Sequence, residues 1–575
     1  MSVVHTWSTL LPIWVLYFVF ITGSIGYFHI EVTSWMKPEI PHVSENVVEP
    51  AMVEYADGFL RDNAGNATRW FINFPSERKD TARLSWSRTL TPEETENLTE
   101  AEQEKLREDN RGNADLHPVS GDVFDEQVRE TGGGALLYRM HYVLHYVPRA
   151  LGEYLVVICS FLMFAGLITG IVIHKKIFRD FFTFRPGKGQ RSWLDTHNIF
   201  SVMTLPFQLM ITFSGILFYV ATMMPLVLYG PAVTLGFDIE NILSASSEEE
   251  LSPKNKELIE VVTEEVFGIV PPPPVSGVKT EMVPLSQLYA DYRMRQPESP
   301  IFNILVQNPG DQNATVTFQA DWGINRQARD NIVYSAVSGE MLSDSSQKDG
   351  ASLASDVQGV FLGLHEGRFS PIMLRWLYFF TGLAGAAMIA SGAILWATKR
   401  RRNHEREIQR LTKRNAHLGE DEMPKLGKGV IFVEHMNVAS IIGLPVGVAA
   451  YFLANRLIPV AAQDRGALEA DAMFVAWGLM FLFAILRPAK RIWSEMLWIA
   501  CIAYALIPVV NLLTTQRHLG VSVMAGDWVI AGFDLTMLAF SMLFGLAAYR
   551  ISVKQEGAGQ SESAAFDNRE LTPAE

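Results

Sequence analysis

Cysteine is nearly absent: Cys159 and Cys501 are the only two in 575 residues, and each sits inside an apolar run. They cannot supply a disulfide framework or a thiolate metal site, and the chain has no C-x-x-C-H for covalent haem attachment. Charge is sparse too, 19% of residues here against about 25% in soluble proteins. The net charge of −14 excludes the clustered basic surface that a general nucleic-acid binder presents to phosphate. No G-x-G-x-x-G follows a strand, and neither a Walker A sequence nor H-E-x-x-H occurs. The chain is therefore expected to carry no nucleotide cofactor and no hydrolytic engine of its own.

What the chain has is hydrocarbon: 49% of residues are hydrophobic, with 34 Phe and 13 Trp. A bilayer core of about 30 Å needs about 20 apolar residues in helix. Eight segments approach or meet this, near 8–30, 150–174, 198–229, 372–398, 430–458, 471–487, 493–514 and 527–549. The first is too long, and too poor in N-terminal Lys and Arg, for a cleaved signal peptide, and is expected to be retained. Basic residues crowd KKIFRDFFTFRPGKGQR, KRRRNHEREIQRLTKR and RPAKR, which short cytoplasmic loops favour. The expectation is an all-α polytopic membrane protein of about eight transmembrane helices, N-in and C-in.

That alternation puts 31–149 and 230–371 outside as periplasmic insertions. The first holds 22 acidic residues against 13 basic, and its stretch 91–111 predicts a solvated acidic helix capped by Thr91 or Thr95. In the second, PPPP at 271–274 predicts a stiff spacer. Beyond it, IFNILVQNPGDQNATVTFQADWG places a turn at Asn308, Pro309 and Gly310 between two β-rich runs, and NIVYSAVSGEML supplies a third. A small α+β domain fits 275–345. The loop 399–429 and the tail 550–575 belong to the cytoplasmic side.

Thirteen histidines need explaining, because many stand at the ends of apolar helices, where ionisable groups are costly and by default suggest function. His141 and His145 precede the second span and His174 ends it. From His145 to His174 the turn totals about 2900°, eight turns plus about 20°, so both face one way if the helix runs through Pro148. Their separation along such a helix is about 43 Å. On the inner side His197 and His5 stand near His174; on the outer side His365 precedes the fourth span. Two layers result, and two imidazoles from different helices are a usual way to hold haem iron inside a bundle. His145, His174, His197 and His365 are the candidate axial ligands, with His141 and His5 as further candidates. The plainer reading of any single one is an interfacial residue or a helix-dipole partner. That reading is kept for His29, His42, His117, His404, His417, His435 and His518.

HTWSTLLPIWVLYFVFITGSIGYFHIEVTSWMKPE, LITGIVIHKKIFRDFFTFRPGKGQRSWLDTHNIFSVMTLPFQLMITFSGILFY and LHEGRFSPIMLRWLYFFTGLAGAAMIASGAILWATKR resemble the PepSY-associated transmembrane family. The resemblance covers roughly 1–45, 130–230 and 275–402, and the helices from 430 onward look like the extension of longer members. It implies an iron-regulated protein of the Gram-negative inner membrane. One branch is similar in layout to ferric-siderophore reductases with two b-type haems. Carried over, the family's histidines fall on His5, His141 or His145, His174, His197 and His365. The implied activity is haem-b electron transfer to a periplasmic acceptor, reducing ferric siderophore and releasing ferrous iron. A cytoplasmic reductase or a membrane quinol would be the donor, with membrane lipid the remaining partner and nucleic acid excluded. The acidic stretch 46–130 exceeds the family's usual first loop.

Other residues in these blocks have two readings each. Arg185, Lys188 and Arg191 suit haem propionates or simply a positive-inside loop, and Asp195 either orients His197 or caps the third span. Arg375 suits a propionate or Glu366. Two rival functions compete with the reductase: a membrane-anchored binding or regulatory protein using the PepSY-like domain, and an iron-chelate transporter.

Overall fold

A computed structural model describes residues 2–43, 49–76, 78–96, 98–124, 128–173, 185, 187–219, 274–299, 301–320, 323–325, 331–344, 353–414, 423–487 and 491–570. The chain divides into two compact units. One comprises 1–38, 129–213 and 371–575, the other 39–128 and 214–370.

The first unit is helical. It contains α1 (Ser2–Leu10), α2 (Ile13–Gly26), α3 (His29–Met36), α4 (Gly133–Tyr142), α5 (Arg149–Ile173), α6 (Gln190–Met203) and α7 (Leu205–Phe218), the last ending beyond its boundary. It continues with α8 (Ile372–Arg414), α9 (Lys428–Ile441), α10 (Gly443–Leu457), α11 (Arg465–Leu486), α12 (Ile492–Thr514), α13 (Leu519–Ala525) and α14 (Trp528–Glu570). Among the described residues six helices are long and apolar enough to cross a membrane, or eight if each of two bent pairs is one span. The pairs are α1–α2, bent by 60°, and α6–α7, bent by 69°. Proline explains both breaks: Pro12 and Pro206 have no N–H for the preceding turn, and their rings crowd the carbonyl four residues back.

Three expectations change here. The second span does not run through Pro148: α4 stops at Tyr142, Tyr146 adopts φ +62°, and α5 starts at Arg149. The shared face computed for His145 and His174 is therefore lost, and His174 itself lies outside the described residues. Second, α8 runs on to Arg414 and α14 to Glu570, into the segments read as loop and tail. Residues 399–414 contain no Gly or Pro and are rich in Arg, Lys and Glu, good helix formers that need no packing partner to continue the helix. Third, the predicted helix over 91–111 is two short helices, Pro92–Thr95 and Glu100–Asp109, followed by a strand. Two capping boxes divide it. The Thr91 N–H donates to Glu94 Oε2 at 2.9 Å and the Thr99 N–H to Glu102 Oε2 at 2.8 Å. Thr99, not Thr95, caps the second.

The second unit holds one seven-stranded antiparallel sheet, ordered β3-β2-β1-β4-β5-β6-β7. The strands are β1 (Arg69–Asn73), β2 (Ala82–Ser87), β3 (Arg111–Leu116), β4 (Ile301–Gln307), β5 (Thr315–Ala320), β6 (Asn331–Ser335) and β7 (Met341–Asp344). The predicted turn sits between β4 and β5, with Asn308 and Gly310 at positive φ, and the third β-rich run makes a hairpin of β6 and β7. The acidic outer segment, in which only 91–111 was read from sequence, as a helix, supplies three strands. Its first strand, β1, joins the later half through Trp70 opposite Val306. The halves repeat each other: in both, the first strand starts six residues after a helix ends, Asn63 to Arg69 and Arg295 to Ile301. Alternation sends Trp70, Ile72, Leu84, Ile304, Val306 and Phe318 to one face, where the helices Glu49–Asn63 and Leu285–Arg295 cover them.

Candidate functional site

The site is built from imidazoles seated between helices of the first unit. On α4, His141 Nδ1 lies 2.7 Å from the Val19 carbonyl of α2. A carbonyl only accepts, so the proton is on Nδ1 and, in neutral imidazole, the lone pair is on Nε2. Gly23, one turn on, makes this possible, because a Cβ there would stand 2.5 Å from the ring. On α6, His197 Nδ1 is 2.9 Å from the Met388 carbonyl of α8, and a Cβ on Gly392 would lie 3.2 Å from its ring. On α1, His5 Nδ1 is 2.9 Å from the Gly166 carbonyl of α5, with Gly170 beside it. Three histidines far apart in sequence thus share one device: a backbone carbonyl of another helix holds Nδ1 and a glycine gives the ring its space.

The second unit has a variant of the device, with a hydroxyl in place of the carbonyl. His365, in the helix Leu353–Glu366, has Nδ1 2.8 Å from Ser214 Oγ, lies against Gly215 and meets the Phe218 ring at 5.1 Å. The other histidines differ. His29 and His435 reach carbonyls of their own local turn, at Gly26 and Ile431. His42 pairs with Asp80 at the surface, and His117 accepts loop N–H groups.

The two outer candidates of HYVLH are separated. His141 enters the bundle, whereas His145, in the turn before α5, stacks on Phe474 at 5.5 Å.

Depth follows from the contact between α2 and α8, where Gly382 packs on Ser24 and Gly385 on Phe20. His141 occupies the Val19–Gly23 level of α2 and His197 the Met388–Gly392 level of α8. The midpoints of these levels are separated along the bundle by roughly 8 to 9 Å of helix rise. Among the described residues, no three His, Cys, Asp or Glu side chains come together to hold a metal ion. An iron bound by two imidazoles requires no such group.

Of the charged candidates, Arg185, Asp195 and Arg375 have protein partners. Arg185 donates to Asp195 through its backbone N–H and through Nε, both at 3.1 Å. Asp195 is thus inside α6, neither capping it nor turned to His197. Lys188 and Arg191 are exposed. Arg375 donates to Glu31 at 2.6 Å, while Glu366 meets Arg368 at 3.3 Å.

Sequence reading missed a buried ionic network. Arg465 and Glu469 of α11 pair with each other at 0% exposure. Asn455 donates to Glu469 at 2.7 Å, and Arg456 donates to Asn511 at 2.8 Å and stacks on Trp35 at 3.7 Å. Asp534 accepts from Trp35 at 2.9 Å and from Asn511 at 3.0 Å. The signal was present, since ionisable residues inside apolar helices are rare enough to single out.

The family model for the PepSY-associated TM region matches residues 2–399. The chain belongs to the PepSY-associated transmembrane family. No curated protein matches it. Together with its apolar helices, membership makes this a multi-pass membrane protein. The anchored histidines His5, His141, His197 and His365 all lie within the matched part, whereas α9 to α14 and most of the ionic network lie beyond it.

Proposed function

We propose that this family member is an inner-membrane haem-b oxidoreductase, N-in and C-in, that passes electrons to a periplasmic acceptor, with ferric siderophore the acceptor and ferrous iron the product. One observation carries the reading: His141, His197 and His5 each have Nδ1 fixed by a carbonyl of a neighbouring helix. Ligating histidines in metalloproteins are oriented this way, since the Nδ1–H bond sets the tautomer and aims Nε2 at the metal.

The residues fit haem b. His141 would be a ligand on the outer side, in preference to His145, whose ring is stacked on Phe474. His197 and His5 would serve on the inner side with His174, and His365 supplies a fourth anchored ring. When bound, haem b would supply a one-electron carrier. The chain's own part is to present lone pairs at fixed depth, exclude water with the α2–α8 packing, and balance charge through Arg375 and Glu31. Electrons would come from a cytoplasmic reductase or a membrane quinol.

Pyridine-haemochrome analysis of purified protein tests this. About two haems b per chain are expected, falling in His141→Ala and in His197→Ala. A preparation without a dithionite-reducible b-type spectrum overturns it and favours a binding role for the sheet unit.

A further inference from the structure

The family match stops at residue 399, yet the helices beyond it grip the segment that leads into α4. We infer that α10 and α11 position His141 through an ionic clamp made by Arg465, Glu469, Asn455 and Tyr451. The inference rests on the assignment of His141 as a ligand.

The contacts are dense. Arg129 donates to the Asn455 carbonyl at 2.5 Å, and Arg465 donates to the Glu130 carbonyl at 2.8 Å. Thr131 donates to Glu469 at 2.5 Å, and the Tyr451 hydroxyl donates to the Gly133 carbonyl at 2.9 Å. The backbones also approach closely, since a Cβ on Gly466 would be 3.2 Å from Gly132 N. Neighbouring α3 is held likewise, with Arg456 donating to the Trp35 carbonyl at 2.5 Å. The Gly134 N–H then donates to Thr33 of α3 at 3.0 Å. Both sides of the α3–α4 pair are thereby tied to the added helices.

Cohesion alone does not explain ions here. Desolvating Arg465 and Glu469 is costly, and hydrocarbon of similar volume often packs as well or better; what an ion pair adds is a single register. Register is what His141 needs. It lies eight residues after Gly133 on a ten-residue helix, and turning α4 by one residue, about 100°, would swing the ring off Gly23 and the Val19 carbonyl. Arg465, Glu469 and Tyr451 are therefore positioning residues for His141.

The test uses full-length protein in detergent, with Glu469→Gln, the apolar double variant Arg465→Met with Glu469→Leu, and the conservative Glu469→Asp. Amide exchange over 131–142 is expected to quicken by about tenfold in the first two, with exchange over 301–335 unchanged. In a redox titration of the b-type spectrum one wave moves, the other stays, and Glu469→Asp restores it. Unchanged exchange over 131–142 in folded variants overturns the clamp. So does uniform loosening of every helix, or an equal shift of both waves, because that is loss of stability and not of position. Should Glu469→Gln fail to fold, the apolar double variant decides by the same readouts. If wild-type protein has no haem, the proposed function fails by itself, and exchange over 131–142 still decides the clamp.

Discussion

The two units differ in what they bury beside hydrocarbon at their centres. Around Trp70 the sheet unit packs Met52, Leu60, Leu84, Tyr292, Val316 and Phe318, all nearly inaccessible, with most ion pairs at the rim. The helical unit also has an apolar core, but embeds Arg456, Arg465, Glu469 and Asp534 in it. The difference reflects the solvent. In water, burying a Leu- or Phe-sized side chain contributes about 1.5–3 kcal/mol, so hydrocarbon suffices. In lipid, apolar helices gain little from meeting each other, and close packing with interhelical hydrogen bonds selects the arrangement.

Removing one ion from the helical unit should therefore produce the largest effect. Arg456→Leu leaves Asn511, Asn455 and the Trp35 carbonyl short of a donor and removes a cation near buried Asp534, and leaving a buried charge uncompensated costs about 3–5 kcal/mol. Thermal unfolding in detergent should show a large fall in midpoint. A fall no greater than that of Arg88→Leu, which removes a half-exposed partner of Glu94, would break the contrast. In the sheet unit the matching change is Leu84→Ala at 0% exposure, expected to cost about 2–5 kcal/mol through lost burial and the cavity left. Exchange in β1 to β3 should quicken while α10 and α11 stay protected.

Glycine sharpens the comparison at smaller scale. Gly23→Ala drives a methyl into His141, with an expected cost of about 1–3 kcal/mol and displacement of the ring from Val19. Gly58, in the helix Glu49–Asn63, has nothing within 4 Å of its would-be Cβ. Gly58→Ala should stabilise by up to about 1 kcal/mol through helix propensity. Equal signs for the two substitutions would refute the claim that Gly23 exists to admit the imidazole.

Much of the helical unit was legible, because a run of about 20 apolar residues has few other uses. The bends were not read, although Pro12 and Pro206 were visible causes. Half of the sheet escaped because RWFIN and ARLSWS are short and charged, and because β1 finds its central partner over 200 positions away, Arg69 opposite Gln307. The gathering of histidines at helix ends was legible as a pattern of residue types. Which of His141 and His145 enters the bundle was not, since the break at 143–148 sets it and periodicity assumed a continuous helix.

The smallest predicted effect is on pH and belongs to the sheet unit. Asp291 accepts from Arg295 Nε at 2.6 Å and from the Tyr334 hydroxyl at 2.8 Å. The Arg295 hydrogen bond, reinforced by Tyr334, holds its carboxyl below the ordinary range. A carboxylate whose folded value lies under its unfolded one, about 3.9, stabilises fully above the unfolded value, and that contribution is lost as pH falls through the folded value. Exchange over 285–295 and 331–335 should therefore begin to quicken only below about pH 4. Asp291→Asn should remove part of that acid dependence and leave protection at pH 7 slightly lower. If the variant loses protection equally at pH 7 and at pH 3, Asp291 acts by packing and not by charge, and the rim of this unit is then held together in the same way as its core.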